Sequence, residues 1–248
     1  MFNCSILTAG HTAAIPTAVL LLKQRGFTLE NTPGKTITHL LLPVPAFLPD
    51  GTLRGGGDLK KILAQLPEHI TVIGGNLSQP LLDGYRKMDL LNNPNFVAKN
   101  AAITAHCALR MILQNLPCTL ERCPVLIIGW GRIGKCLARL LKAIGAKVVV
   151  AARKTQDRAM LEALGYGATD TANLDPTGYR VVVNTAPELI IENYSDDGLA
   201  IDLASKPGII GPNVIWARGL PGKDAPESAG QLIAQTVTEM LMDQEVVL

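Results

Sequence analysis

The stretch LIIGWGRIGKCLARLLKAIGAKVVVAARK, residues 126–154, decides the fold. Val125, Leu126, Ile127 and Ile128 run straight into Gly129-Trp130-Gly131-Arg132-Ile133-Gly134. A short apolar run of this kind reads as a strand buried on both faces. The period then changes to that of a helix. Ile133, Leu137, Leu140, Leu141 and Ile144 share one face, Gly145 ends the helix, and a second apolar strand follows at residues 148–151. The whole is a βαβ unit.

The glycine pattern G-x-G-x-x-G is weak by itself, and its position between strand and helix gives it meaning. Gly129 permits a tight turn, Gly131 lets backbone N–H groups approach a pyrophosphate, and Gly134 lets the helix pack on the strand. The N-terminus of the following helix adds partial positive charge and unpaired donors. Residues 129–134, Trp130, Arg132 and Ile133 among them, are therefore expected to bind the phosphates of a dinucleotide. The plainer alternative is a tight turn that binds nothing.

The stretch ends on an unusual pair. In an NAD-binding unit, an Asp or Glu about 20 residues past the loop takes the ribose hydroxyls. Here that window reads Val150-Ala151-Ala152-Arg153-Lys154-Thr155, and the first acid is Asp157. Ala152 brings no carboxylate to repel a 2′-phosphate. Arg153 can grip one through its planar fork, and Lys154 adds a point charge. The dinucleotide preferred on this reading is NADP(H). The alternative is a solvated pair of charges at a strand end.

Outward from this unit, short apolar runs alternate with helical patterns in both directions. The fold class is α/β: a Rossmann-type doubly wound parallel sheet with a second, smaller N-terminal α/β domain. In the N-terminal part, strands are expected at residues 5–8, 39–42 and 70–73, and helices at 14–25 and 59–66. A Gly/Pro-rich loop at 47–58 and a turn at 74–76 separate them. Residues 101–116 form a helix with Ala105, Ala108, Leu109 and Ile112 on one face. Further strands are expected at 125–128, 181–183, 199–202 and 214–216, and a last helix at 229–242. The division is placed at 1–98 and 99–228, with 229–248 packing back on the first domain.

Composition excludes several classes. With 23 basic and 21 acidic residues and only 4% aromatics, neither a nucleic-acid groove nor a polybasic membrane patch is indicated. The apolar patch AAIPTAVLLL, residues 13–22, is too short to span a bilayer and lacks a basic segment before it. Five cysteines, Cys4, Cys107, Cys118, Cys123 and Cys136, form no C-x-x-C pair and no zinc set. Reduced thiols and a cytoplasmic protein are expected, with no metal.

Ligands in such sheets lie beyond the carboxyl ends of the strands. VVVNTAPE, residues 181–188, leads a strand into Asn184-Thr185-Ala186-Pro187, and Pro187 stops a helix there. Asn184 and Thr185 are therefore expected to stay exposed at the strand tip. AIDLASKPGI, residues 200–209, does the same with Asp202, Ser205 and Lys206, and Leu203 and Ala204 are counted with Asp202 as cofactor-binding candidates. ARGLPGKDAPESAG, residues 217–230, reads as a long loop in which Gly219 and Gly222 allow a nicotinamide to approach. Lys206, Arg218 and Lys223 are candidate clamps for a substrate carboxylate, although ordinary surface charge explains any one of them equally.

In that order, GWGRIG, NTAP, DLASKPG and GLPGKDAPESAGQ resemble the A component of dipicolinate synthase. The resemblance is densest over residues 100–237. It continues thinly through LLPVP (41–45), IGGN (73–76) and LNNPNFVAKNAAIT (91–104). It implies a split N-terminal domain, a Rossmann domain and NADP(H). It also implies the flavoprotein-like B component of dipicolinate synthase as partner, and oxidation of a dihydrodipicolinate-level precursor to dipicolinate in spore-forming bacteria. The hydride would leave at a mouth formed by Thr185, Ala186, Asp202 and the Gly219–Gly222 loop.

Where the family opens its linking helix with Pro-Thr-x-Glu-Gly, this chain reads Ile103-Thr104-Ala105-His106-Cys107. The resemblance thus hands the proton-handling position to His106, whose ordinary pKa lies near working pH. Asn100 and Thr104 are grouped with it as catalytic candidates. Two other readings stay open. One is a different NADP-dependent dehydrogenase of a small carboxylic or keto acid, and the other is a non-catalytic NADP(H)-binding protein. A small dicarboxylate is the expected substrate, and a homo-oligomer is compatible with the sequence.

Overall fold

The computed structural model describes residues 4–172 and 174–245. By its internal contacts the chain divides into two compact units, Met1–Asn100 with Pro221–Leu248, and Ala101–Leu220.

The first unit holds β1 (Ser5–Thr8), α1 (Ile15–Gln24), β2 (Thr28–Glu30), β3 (His39–Leu41), α2 (Leu59–Leu63), β4 (Thr71–Gly74) and β5 (Arg86–Asp89). Its sheet has the order β2-β1-β3-β4-β5, and every pairing is parallel. Apolar runs build the middle: Ile6, Leu40, Leu41, Val72 and Ile73 are all fully buried. Leu59, Leu63 and Leu66 join the core on one side of that sheet, and Asp58 caps α2 by accepting from the Lys61 N–H at 3.1 Å. The 22-residue helix α3 (Pro94–Asn115) starts earlier than the apolar periodicity indicates. Asn93 accounts for this, its side chain accepting the Asn95 and Phe96 N–H groups.

The second unit contains β6 (Pro124–Ile128), α4 (Arg132–Ala143), β7 (Lys147–Ala151), α5 (Thr155–Ala163) and β8 (Gly167–Thr169). After these come β9 (Val181–Asn184), β10 (Leu199–Asp202) and β11 (Val214–Trp216). The order is β11-β10-β9-β6-β7-β8, again parallel throughout. Counting from β6, this is the doubly wound order 6-5-4-1-2-3, whose direction of winding reverses between β6 and β9. Val125 to Ile128 and Val181 to Val183 are fully buried, as apolar strands covered on both faces must be. On α4, Leu137, Ala138 and Leu141 face inward, while Ile144 ends the helix 42% exposed and outside the stripe expected for it.

The chain returns to the first unit through α6 (Leu220–Asp224) and α7 (Pro226–Glu245). Residues 217–230 are thus mostly helical, not a long loop. Pro221 and Pro226 stand in the first turns of these helices, where a missing N–H costs nothing. Gly222 lies within α6, and only Gly219, at φ +67°, keeps a loop conformation. Among the described residues, no helix is long and apolar enough to cross a membrane.

Two outcomes check this architecture. A Cβ at Gly230 of α7 would lie 2.5 Å from the Ala14 carbonyl oxygen and 2.6 Å from Thr17 Cβ of α1. Gly230→Ala should therefore lower unfolding free energy in urea by about 1–3 kcal/mol, more than helix propensity returns; a stabilised variant would contradict the close packing. His39 is buried on β3, and its pKa is lowered first by burial and then by the Arg86 charge. The folded state therefore favours the neutral ring. Its stabilisation is complete above about pH 6.5 and lost as pH falls below that value. Urea midpoints should drop more steeply from pH 7 to 5 in the wild type than in His39→Asn, and parallel curves would exclude the effect.

Candidate functional site

The site begins at the end of β6. Gly129 sits at φ +101°, a conformation that side chains rarely adopt. A Cβ at Gly134 would strike the Gly129 carbonyl, so the first turn of α4 rests on the turn that precedes it. Gly131 differs from both: nothing lies within 4 Å of the place its side chain would take. That open space lies beside the start of α4, where Gly131 is the N-cap and no side chain caps the helix. Backbone donors at the start of a 12-residue helix, approached across a bare glycine, fit an anionic pyrophosphate.

Trp130 contributes packing. Its ring lies edge-on to Tyr166 at 5.8 Å, and Lys135 Nζ is 5.6 Å from its centroid. Arg132 is exposed and Ile133 half-buried.

The neighbouring strands are tied to this turn. Gly129 N–H donates to the Ala151 carbonyl of β7 at 2.9 Å, and Thr185 N–H donates to Ile128 O at 2.8 Å. The Thr185 hydroxyl lies 2.9 Å from the same carbonyl and 3.3 Å from Gly129 O. Thr185 is therefore committed to holding the glycine turn.

Asn184 and Asp202 differ from expectation: both are 0% exposed. Asn184 Nδ2 donates to Asp202 Oδ1 at 2.9 Å and to Ala186 O at 2.9 Å, while its Oδ1 accepts the Ala186 N–H. Asp202 also accepts from Ala204 N at 2.9 Å, Gly208 N at 2.6 Å and Ile209 N at 3.0 Å. Asp202 thus takes up four donors, and a buried carboxylate needs that many to offset its lost hydration. Leu203 N–H is bonded to Asn184 O, and Ala204 O accepts Trp216 Nε1 at 3.1 Å. These groups fasten the loops after β9 and β10 to each other, whereas the sequence pattern predicts them exposed at a mouth. Ala186 is half-buried and Pro187 exposed.

Beyond β7, Arg158 fixes the main chain. Its Nη1 donates to the carbonyls of Ala152 (2.8 Å) and Arg153 (2.9 Å) and pairs with Asp170 at 2.8 Å. Its Nη2 donates to the Thr155 hydroxyl. The Lys154 side chain is exposed. Arg153 is not free of acids, as the local window suggests. Its Nη1 lies 3.1 Å from Glu188 Oε1 and 3.3 Å from Oε2. Glu188 stands 35 residues away in the chain, so no local pattern announces it.

The remaining candidates lie on α3, on the loops after β10 and β11, and on α6. His106 is exposed on α3, Thr104 on the same helix is buried, and Asn100 is half-buried in the first unit. Arg218 lies over the Trp216 ring, 5.2 Å from its centroid, and Lys206 is exposed. Lys223, also exposed, and Gly222 belong to the first unit. Among the described residues, no two cysteines form a disulfide.

Comparison with known proteins places this fold among dinucleotide-binding proteins. Residues 113–188 match the family model of the D-isomer specific 2-hydroxyacid dehydrogenase, NAD binding domain. The chain is 26% identical over 242 residues to the A component of dipicolinate synthase from Bacillus subtilis (strain 168), covering 87% of this chain and 81% of that protein. Its fold matches the dipicolinate synthase A component from Bacillus halodurans with a TM-score of 0.83 at 22% identity, over 96% and 98% of the two chains. The solved structure from Bacillus subtilis matches with a TM-score of 0.81 at 22% identity, over 100% and 99%. The chain is thus similar to the dipicolinate synthase A component over most of its length, as its motifs indicate. Its second unit carries a nicotinamide-dinucleotide-binding domain of the dehydrogenase type.

If Asp202 is part of the scaffold, Asp202→Ala leaves buried donors unpaired and should cost about 3 kcal/mol of unfolding free energy. Urea denaturation followed by circular dichroism measures this, and native stability in the variant would refute the structural role.

Proposed function

We propose that the protein is an NADP(H)-dependent oxidoreductase that forms dipicolinate together with a flavoprotein resembling the B component of dipicolinate synthase, in the cytoplasm. The observation that carries the cofactor assignment is the end of β7. Arg153 and Lys154 stand where an NAD-binding unit places its ribose-binding acid. Residues 129–134 would hold the pyrophosphate, and the Arg153 fork the 2′-phosphate. When bound, the dinucleotide supplies a hydride acceptor.

The rest falls to the chain's own side chains. A dihydropyridine dicarboxylate that loses one hydride and one proton becomes aromatic, so the reaction carries its own driving force. The protein then has to hold two carboxylates, orient the ring and take one proton. We assign the carboxylates to Arg218 and Lys206, of which Arg218 is already steadied by Trp216. We assign the proton to His106, the exposed histidine on α3. The first unit, with α7, is assigned to substrate and partner binding.

Two measurements test this. The protein co-expressed with such a flavoprotein should, given the dihydrodipicolinate-level precursor and NADP⁺, yield dipicolinate, read by terbium luminescence. A blank with folded protein would reject the assignment. Arg153→Ala should weaken NADPH about 10- to 100-fold, the range for charge-assisted hydrogen bonds, and leave NADH nearly unchanged. Equal losses would mean that the side chain does not read the 2′-phosphate.

A further inference from the structure

The Arg153–Glu188 pair spans an unusual place. Arg153 lies two residues beyond β7 and Glu188 four residues beyond β9, and the sheet order puts β6 between those strands. The ion pair therefore joins loops on opposite sides of the glycine turn, across the crevice at which the winding of the sheet reverses.

Both main chains at its ends are fixed. On one side Arg158 holds the Ala152 and Arg153 carbonyls. On the other, Ile190 and Ile191 both donate to Gly208 O, and the Gly208 N–H is held by the buried Asp202 carboxylate. A Cβ at Gly208 would lie 2.5 Å from the Glu188 carbonyl oxygen, so the backbone of Glu188 is pressed against that knot. The side chains are the opposite: Arg153 is 71% and Glu188 60% exposed. An ion pair so exposed is weak and exchanges readily. The arrangement is a rigid frame with one exchangeable carboxylate on the cation expected to read the cofactor.

We propose that Glu188 is a built-in competitor for the 2′-phosphate, occupying the Arg153 guanidinium until an NADP(H) phosphate displaces it. The proposal rests on Arg153 being the 2′-phosphate reader. A dianionic phosphate carries more charge and more acceptor oxygens than a carboxylate, so it wins the exchange, while the ribose hydroxyls of NAD(H) do not contest it. Glu188 thereby sets the size of the preference without touching the reacting ring. Its removal raises NADPH affinity and leaves NADH where it was.

The test is a fluorescence titration of the full chain with NADPH and NADH, in wild type, Glu188→Gln, Arg153→Ala and the double variant. Glu188 is exposed, so melting curves should show all four folded; Glu188→Ala repeats the measurement with a different replacement. Glu188→Gln should tighten NADPH about two- to fivefold, equivalent to about 0.4–1 kcal/mol, with NADH changed less than about twofold. In the Arg153→Ala background the same change should have no effect on NADPH, because the contested cation is gone. Unchanged or weaker NADPH binding in Glu188→Gln, with Arg153→Ala still showing the selective loss of NADPH, would overturn the proposal and leave the cofactor reading standing. Loss of NADH binding in Glu188→Gln would also overturn it, by making Glu188 the ribose ligand of NAD(H). If Arg153→Ala weakens both coenzymes equally, the cofactor reading itself fails, and the competitor with it.

Discussion

The second unit is organised around the contact between Gly134 and the Gly129 carbonyl. No side chain fits there, so the first turn of α4 rests directly on the end of β6. Gly129 in turn bonds to β7 through its N–H, and the Thr185 hydroxyl fastens the start of the β9 loop to the same turn. The result is a bare, donor-lined opening at Gly131 with a fixed loop on either side. Those flanking loops carry Arg153 and Glu188, the pair to which we assign the choice of dinucleotide.

Rigidity and exchange are divided between buried and exposed groups. Asn184 and Asp202 form a saturated polar knot between β9 and β10, and such a knot is costly to break because each lost bond leaves a buried donor or acceptor unpaired. Arg158 does comparable work beyond β7, reaching two carbonyls, a hydroxyl and Asp170. By contrast, the groups assigned to ligand charges, Arg153, Lys206 and Arg218, are exposed, and Arg153 and Arg218 are held by contacts of modest worth.

The sequence made much of the fold legible, for identifiable reasons. Strands β6, β7, β9 and β10 are apolar on both faces and lie in the sheet interior, so their composition announces them. The strands it hides, β2 (TLE), β5 (RKMD) and β8 (GAT), are edge strands of three or four residues without an apolar run. The polar helix α5 (TQDRAMLEA) buries only Leu161 and leaves little periodicity to read. Two prolines disguise α6 and the start of α7 as a loop, although a proline in the first turn is at home in a helix. At the site, the glycine loop and the missing ribose acid are local patterns. The Asn184–Asp202 bond joins residues 18 apart on successive strands and the Arg153–Glu188 pair joins residues 35 apart, so neither shows in a local window of sequence.

The central claim is that this crevice selects a nicotinamide dinucleotide by its 2′-phosphate. The most direct measurement is the pair of dissociation constants of the unmodified protein for NADPH and NADH, determined by coenzyme fluorescence in one buffer. A dianion on the Arg153 fork, net of the carboxylate it displaces, should make NADPH bind about tenfold tighter or more. NADH binding as tightly as NADPH, or more tightly, would contradict the account.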